Sequence, residues 1–219
     1  MKEKMQQLLE NIKKDLIFLA NQVEHSLRLA MKALERQDVA LAEQVKAMDQ
    51  DIDRLEVKIE DQILTLLALQ QPVAVDLRFI IAALKMNNDL ERIGDHAVNI
   101  AQTAIQFAGD TYLKPLEDLP RMNQIAAQMV HDAVSAFIHL DSDTAREICQ
   151  RDSEVDELYD KVLGHIIQVV RDKPDKLEQA FALARVARDL ERVADLATNL
   201  SEDVVFMKEA KIIRHHLEG

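Results

Sequence analysis

Residues 88–100, Asn-Asp-Leu-Glu-Arg-Ile-Gly-Asp-His-Ala-Val-Asn-Ile, return at 188–200 as Arg-Asp-Leu-Glu-Arg-Val-Ala-Asp-Leu-Ala-Thr-Asn-Leu. The polar residues keep register: Asp89 with Asp189, Glu91 with Glu191, Asp95 with Asp195, then Asn99 with Asn199. Leu90, Ile93, Ala97 and Ile100 in one copy, and Leu190, Val193, Ala197 and Leu200 in the other, recur at helical spacing. Each copy therefore predicts a helix with one apolar stripe. Glu91, Asp95 and Asn99 fall at i, i+4 and i+8, an oxygen-rich ridge turned away from that stripe. Like charges at i,i+4 weaken an isolated helix by about 0.2–0.5 kcal/mol. The same unfavourable choice made twice predicts a counter-charge over the ridge.

The flanking sequence repeats the plan. Leu16, Leu19, Val23, Leu27, Ala30 and Leu34 give a first helix over about 8–35, ending at Gln37-Asp38. Asp38 can cap a second helix carrying Val45, Met48, Ile52, Leu55, Ile59 and Ile63 to about residue 69, where Gln71-Pro72 breaks it. A third runs from about 73 through the repeated stretch to Gly109. Residues 110–120 hold two of the four prolines and are the expected linker. Three more helices follow, over about 121–140, 143–170 and 175–215, with Lys173-Pro174 between the last two. His131 falls in the fourth helix where His25 falls in the first. Both histidines read as capping or core-edge residues. The expectation is an all-α protein of two tandem three-helix bundles, residues 1–109 and 121–219, joined by 110–120.

Composition agrees with that class. Hydrophobic residues make up 48% of the 219, aromatics 4%, and glycine and proline number four each, as in long helices rather than sheets. The formal charge of −12 disfavours nucleic acid, whose backbone is bound through Lys and Arg. A cationic partner suits it better. The single Cys149 rules out an internal disulfide, and no apolar run approaches a membrane span. The N-terminus carries charges where a signal peptide needs apolar residues, so a cytoplasmic location without membrane insertion is expected.

The second helix of each half adds another i,i+4 acidic pair: Asp49 and Asp53, then Asp152 and Asp156. If consecutive helices pack antiparallel, each half brings two carboxylate pairs to one seam. Four carboxylates that close need protons or a cation. An all-oxygen set suits hard ions such as Mg, Mn, Ca or oxidised Fe. Against this stands plain surface charge, with Arg54, Arg92 and Arg192 as neighbours for ordinary ion pairs. Phosphate loops, His-Glu-x-x-His and Gly-x-Ser-x-Gly do not occur, and no histidine follows a glutamate by three as di-iron carboxylate bundles require.

These motifs resemble the bacterial PhoU family. The likeness rests on Glu91-Arg92-Ile93-Gly94-Asp95 and Glu191-Arg192-Val193-Ala194-Asp195, on the turn from Gln70 to Arg78, and on the tail from Phe206 to His215. The second motif has Ala194 in place of the usual glycine, and the Gln-Pro turn is not repeated at Pro174. The resemblance implies two three-helix bundles, each with a multinuclear iron or zinc site. The implied ligands are Asp49, Asp53, Glu91 and Asp95, then Asp152, Asp156, Glu191 and Asp195. It further implies a non-enzymatic negative regulator of the phosphate-starvation response. Its partners would be the ATPase subunit of the phosphate transporter and the sensor histidine kinase, with a second copy of the chain as a further candidate. The competing expectations are a carboxylate-bridged metal enzyme and a metal-free helical adaptor.

Overall fold

The computed structural model describes residues 2–110 and 118–213. Among them the elements are α1 (Lys2–Arg36), α2 (Val39–Gln70), α3 (Ala74–Gln106), α4 (Asp118–His139), α5 (Ser142–Asp172) and α6 (Leu177–Glu209), with a 3-10 turn at Pro174–Lys176 before α6. Strands are absent from the described residues. α1, α2 and α3 pack on one another, α4, α5 and α6 do the same, and the two sets meet chiefly through α3 against α6 and also through α1 against α4.

The apolar positions read from spacing are the core. Leu16, Leu19, Val23 and Leu27 of α1, Ile52, Ile59 and Ile63 of α2, and Leu90, Ile93, Ala97 and Ile100 of α3 are almost fully buried. Leu190, Val193, Ala197 and Leu200 are buried likewise, and one continuous apolar cluster runs through both halves.

The first turn of each half is built twice in the same way. Gln37 at φ 54° ends α1, and Leu140 at φ 54° ends α4. The next residue's N–H bonds back to the helix in both, Asp38 to Ala33 O at 3.0 Å and Asp141 to Ala136 O at 2.9 Å. Each aspartate then caps the helix that follows: Asp38 accepts from Leu41 N, and Asp141 from Asp143 N and Thr144 N. Gln37 Nε2 also donates to Phe107 O and Asp110 O, tying this corner to the end of α3.

Three boundaries differ from expectation. α3 stops at Gln106, with Gly109 at φ 86° in the turn beyond it. Most of the expected linker, 111–117, lies outside the described residues, but Asp118, Leu119 and Pro120 are the first turn of α4. Asp118 is buried there, paired with Lys161 at 2.8 Å and His165 at 3.7 Å. α6 ends at Glu209, where Ala210 turns left-handed at φ 57°, rather than continuing toward residue 215. The tail from 214 lies outside the described residues.

Candidate metal centres

α2 and α3 run antiparallel, so residue numbers fall along one as they rise along the other. Asn87 Nδ2 donates to Glu56 O at 2.9 Å, Glu91 feels the charges of Asp53 and Glu56, and Asp49 feels Asp95. The two predicted acidic pairs thus face each other. α5 and α6 repeat this: Cys149 Sγ lies 4.0 Å from Thr198 O, Asp152 feels Asp195 and Glu191, and Asp156 feels Asp195. All eight sequence-predicted acids fall into the two expected sets of four.

Burial raises the pKa of five of these carboxyls. Burial first, then the charges of Asp53 and Asp95, push the Asp49 carboxyl up to about 6 from 3.8. Asp152 rises to about 6 through burial and then Asp156, Asp195 and Glu191, with the Thr198 hydroxyl opposing. Glu91, Asp156 and Glu191 rise too, burial leading in each case. Asp53 and Asp95 stand exposed at the rim.

Counter-charges distinguish the sets. In the second, Arg192 Nη1 reaches Asp195 Oδ2 at 2.7 Å and its Nε stands 3.6 Å from Glu191 Oε2, a buried oxygen without a hydrogen bond. In the first, Arg54 turns to Asp51 and Arg92 to Asp89, and among the described residues no Lys, Arg or His forms an ion pair with Asp49, Asp53, Glu91 or Asp95. Among the described residues a protein cation thus supplies the expected counter-charge over the second ridge and none does so over the first. Among the described residues no three carboxylates converge closely enough to hold an ion as they stand. Like charges on rotatable side chains keep apart unless something draws them in.

The donor set fits a hard cation. Every candidate atom is oxygen, Glu191 Oε2 is an orphaned buried acceptor, and the floor of the first set is Gly94. A Cβ built there would meet Ile52 Cγ2 at 3.3 Å and Asp49 Oδ1 at 3.7 Å. Glycine thus lets α3 approach beneath Asp49. The second set has buried Ala194 at that position, so the requirement is local to the first.

Glu56 is the site residue that sequence reasoning missed. It is half-buried, its carboxyl raised by burial, Glu60 and Asp53, and its own charge reaches Glu91. The signal was available: Asp49, Asp53, Glu56 and Glu60 stand at i, i+4, i+7 and i+11, one helical face. His25 is exposed, while His131 Nδ1 meets the buried Glu24 at 3.2 Å across α1 and α4, away from both sets.

The family model described as PhoU domain matches this chain twice, over residues 16–104 and 119–204. The chain belongs to the PhoU family. Among its relatives is the phosphate-specific transport system accessory protein PhoU homolog of Aquifex aeolicus, 39% identical over 94% of each chain. The homolog from Clostridium acetobutylicum is 32% identical over 93% of each. Of solved structures, PhoU from Pseudomonas aeruginosa superposes with a TM-score of 0.90 at 31% identity, covering 94% of this chain and 99% of that one. The phosphate transport system regulatory protein PhoU from Streptococcus pneumoniae gives 0.88 at 27%, covering 95% and 98%. The two PhoU matches fall one on α1–α3 and one on α4–α6, so each carries one carboxylate set.

Proposed function

We propose that this chain is a non-enzymatic, metal-binding regulator of phosphate uptake. It restrains the phosphate-starvation response through the transporter's ATPase subunit and the sensor histidine kinase, in the cytoplasm. The observation that carries the metal reading is the first carboxylate set: Asp49, Asp53, Glu91 and Asp95 gathered over Gly94 with no ion pair to a protein cation among the described residues. Membership of a family whose relatives are named phosphate-specific transport system accessory proteins supports the regulatory reading. An oxygen-only set favours iron, manganese or magnesium over zinc, which prefers His and Cys. The role of such an ion here is to join α2 to α3 and to present positive charge on an acidic surface.

No helix among the described residues is long and apolar enough to cross a membrane. With a formal charge of −12 the chain is repelled by anionic lipid, and basic patches on partner proteins suit it instead. A metal-free adaptor is the second reading, favoured at the second set by Arg192 lying over Asp195 and Glu191. Metal analysis of the purified protein, beside the phosphate response of a strain lacking the gene, separates the readings. Bound metal and a response that runs in phosphate-rich medium are expected. Metal-free protein whose melting ignores added Fe, Mn, Mg and Zn would leave the adaptor. A response that stays shut off in the deletion strain would end the regulatory reading.

A further inference from the structure

The seam between α3 and α6 holds two clefts, one of about 680 Å³ and one of about 360 Å³. They are the same place in the two repeats. The larger is lined by Lys85, Asn88 and Asp89 of α3 against Asn199, Glu202 and Asp203 of α6. The smaller is lined by Arg185, Arg188 and Asp189 of α6 against Asn99, Gln102 and Thr103 of α3. Each of these six stands one hundred positions from its counterpart in the other cleft, while Glu56 and Glu60 of α2 line only the larger.

The chemistry at equivalent positions has separated. In the larger cleft Glu56, Glu60, Asp89, Glu202 and Asp203 surround one lysine, and Lys85 Nζ is paired with the buried Asp203 at 2.9 Å. In the smaller, Thr103 replaces that aspartate and Gln102 replaces the glutamate, while Arg188 replaces Asn88. Arg185, the counterpart of Lys85, makes no ion pair among the described residues, and its one hydrogen bond goes to the neutral Gln106 Oε1 at 3.4 Å. The Thr103 hydroxyl is turned to Asn99 O at 3.2 Å. The one carboxylate there, Asp189, is already engaged by His96 Nδ1 at 2.8 Å and Asn99 Nδ2 at 3.3 Å. Arg188 hydrogen-bonds the Tyr159 side chain and feels the charge of Glu191.

We infer that the smaller cleft is an anion site that takes a phosphoryl oxyanion. Arg185 is its principal anchor, Arg188 a second cation, and the side-chain amides of Gln102 and Gln106 neutral donors. Guanidinium groups match the oxygens of a tetrahedral anion through paired N–H donors, which amides supplement. The volume leaves room for a phosphate ester as well as the free ion. The anion contacts include none of the eight candidate metal ligands, and Arg185, the principal anchor, pairs with none of them; Arg188 alone lies near one, Glu191.

Calorimetric titration of the full chain in EDTA at fixed ionic strength, with inorganic phosphate in one arm and AMP in the other, tests it. Saturable binding with a Kd below about 1 mM is expected in at least one arm, and the tighter arm identifies free ion or ester. Arg185→Ala should weaken it about 10–100-fold, the worth of one charge-assisted contact. Gln102→Glu, at an exposed position, and Thr103→Asp, which gives Arg185 the carboxylate that Lys85 has, should weaken it similarly. Lys85→Ala removes an equal charge from the other cleft and should leave the Kd unchanged. Circular dichroism checks that each variant folds, and Gln102→Glu carries the test if Thr103→Asp does not. Failure of both ligands to bind, or binding in Arg185→Ala equal to wild type, overturns the inference.

Discussion

Asp49 and Asp152 keep their protons to about pH 6 in the folded chain, whereas the usual carboxyl value is 3.8. Between those values the folded state binds more protons than the unfolded one. Their contribution to stability is therefore complete below pH 3.8 and is lost as pH rises through 6. Metal-free protein should lose melting temperature across that window, and Asp49→Asn should flatten the loss at the first set, as thermal scans at stepped pH would show. A cation competing with those protons reverses the trend, so metal affinity should climb over the same pH range. At the second set Arg192→Gln removes the cation lying on Asp195 and Glu191, and isothermal titration should find tighter metal binding there. The eight acids could be read from the sequence because i,i+4 spacing fixes a helical face whatever packs on it. Arg192's choice of partners could not, because its neighbours at 191 and 195 have counterparts at 91 and 95, yet Arg92 turns to Asp89.

The elements are legible through period and punctuation, and the start of α2 through its capping aspartate, whereas the equivalent cap Asp141 is plain only in the structure. Asp38 caps α2 by accepting from Leu41 N, so Asp38→Ala should cost about 1 kcal/mol in denaturant unfolding. Leu140 adopts φ 54° without glycine's freedom, and Leu140→Gly should raise stability by up to about 1 kcal/mol. Pro120 lies inside α4 and not in the linker that its residue type suggests. A proline signals a break in mid-helix, but within the first turn its missing N–H has no helical partner to lose, and α4 begins at Asp118. Gly94 marks a close approach in the sequence, but Ala194 at the equivalent place hides that only the first repeat needs glycine there, and the 3.3 Å from a Cβ at 94 to Ile52 Cγ2 shows that need. Overfilling that approach, as in Gly94→Val, should destabilise the fold by about 1–3 kcal/mol and displace Asp49.

At the scale of the molecule, one apolar core spans both repeats, so they should unfold together. Leu190→Ala, a fully buried change in the second repeat, should cost about 2–5 kcal/mol and lower a single transition seen by probes in either half. Two separate transitions would show independent repeats. Metal should behave in the opposite, local manner: Glu91→Ala with Asp95→Ala should empty the first set and leave the second loaded, by metal analysis. The duplication was plain in the sequence, but how the copies meet was not, because the contacts join residues about a hundred apart, such as His96 with Asp189 and Lys85 with Asp203. That reciprocal crossing is the geometry of a two-fold dimer interface, in which each subunit offers the same patch. Two identical subunits must carry any substitution on both sides of the axis at once. Fusing them into one polypeptide lifts that obligation, and a residue such as Thr103 can change while Asp203 stays as it is.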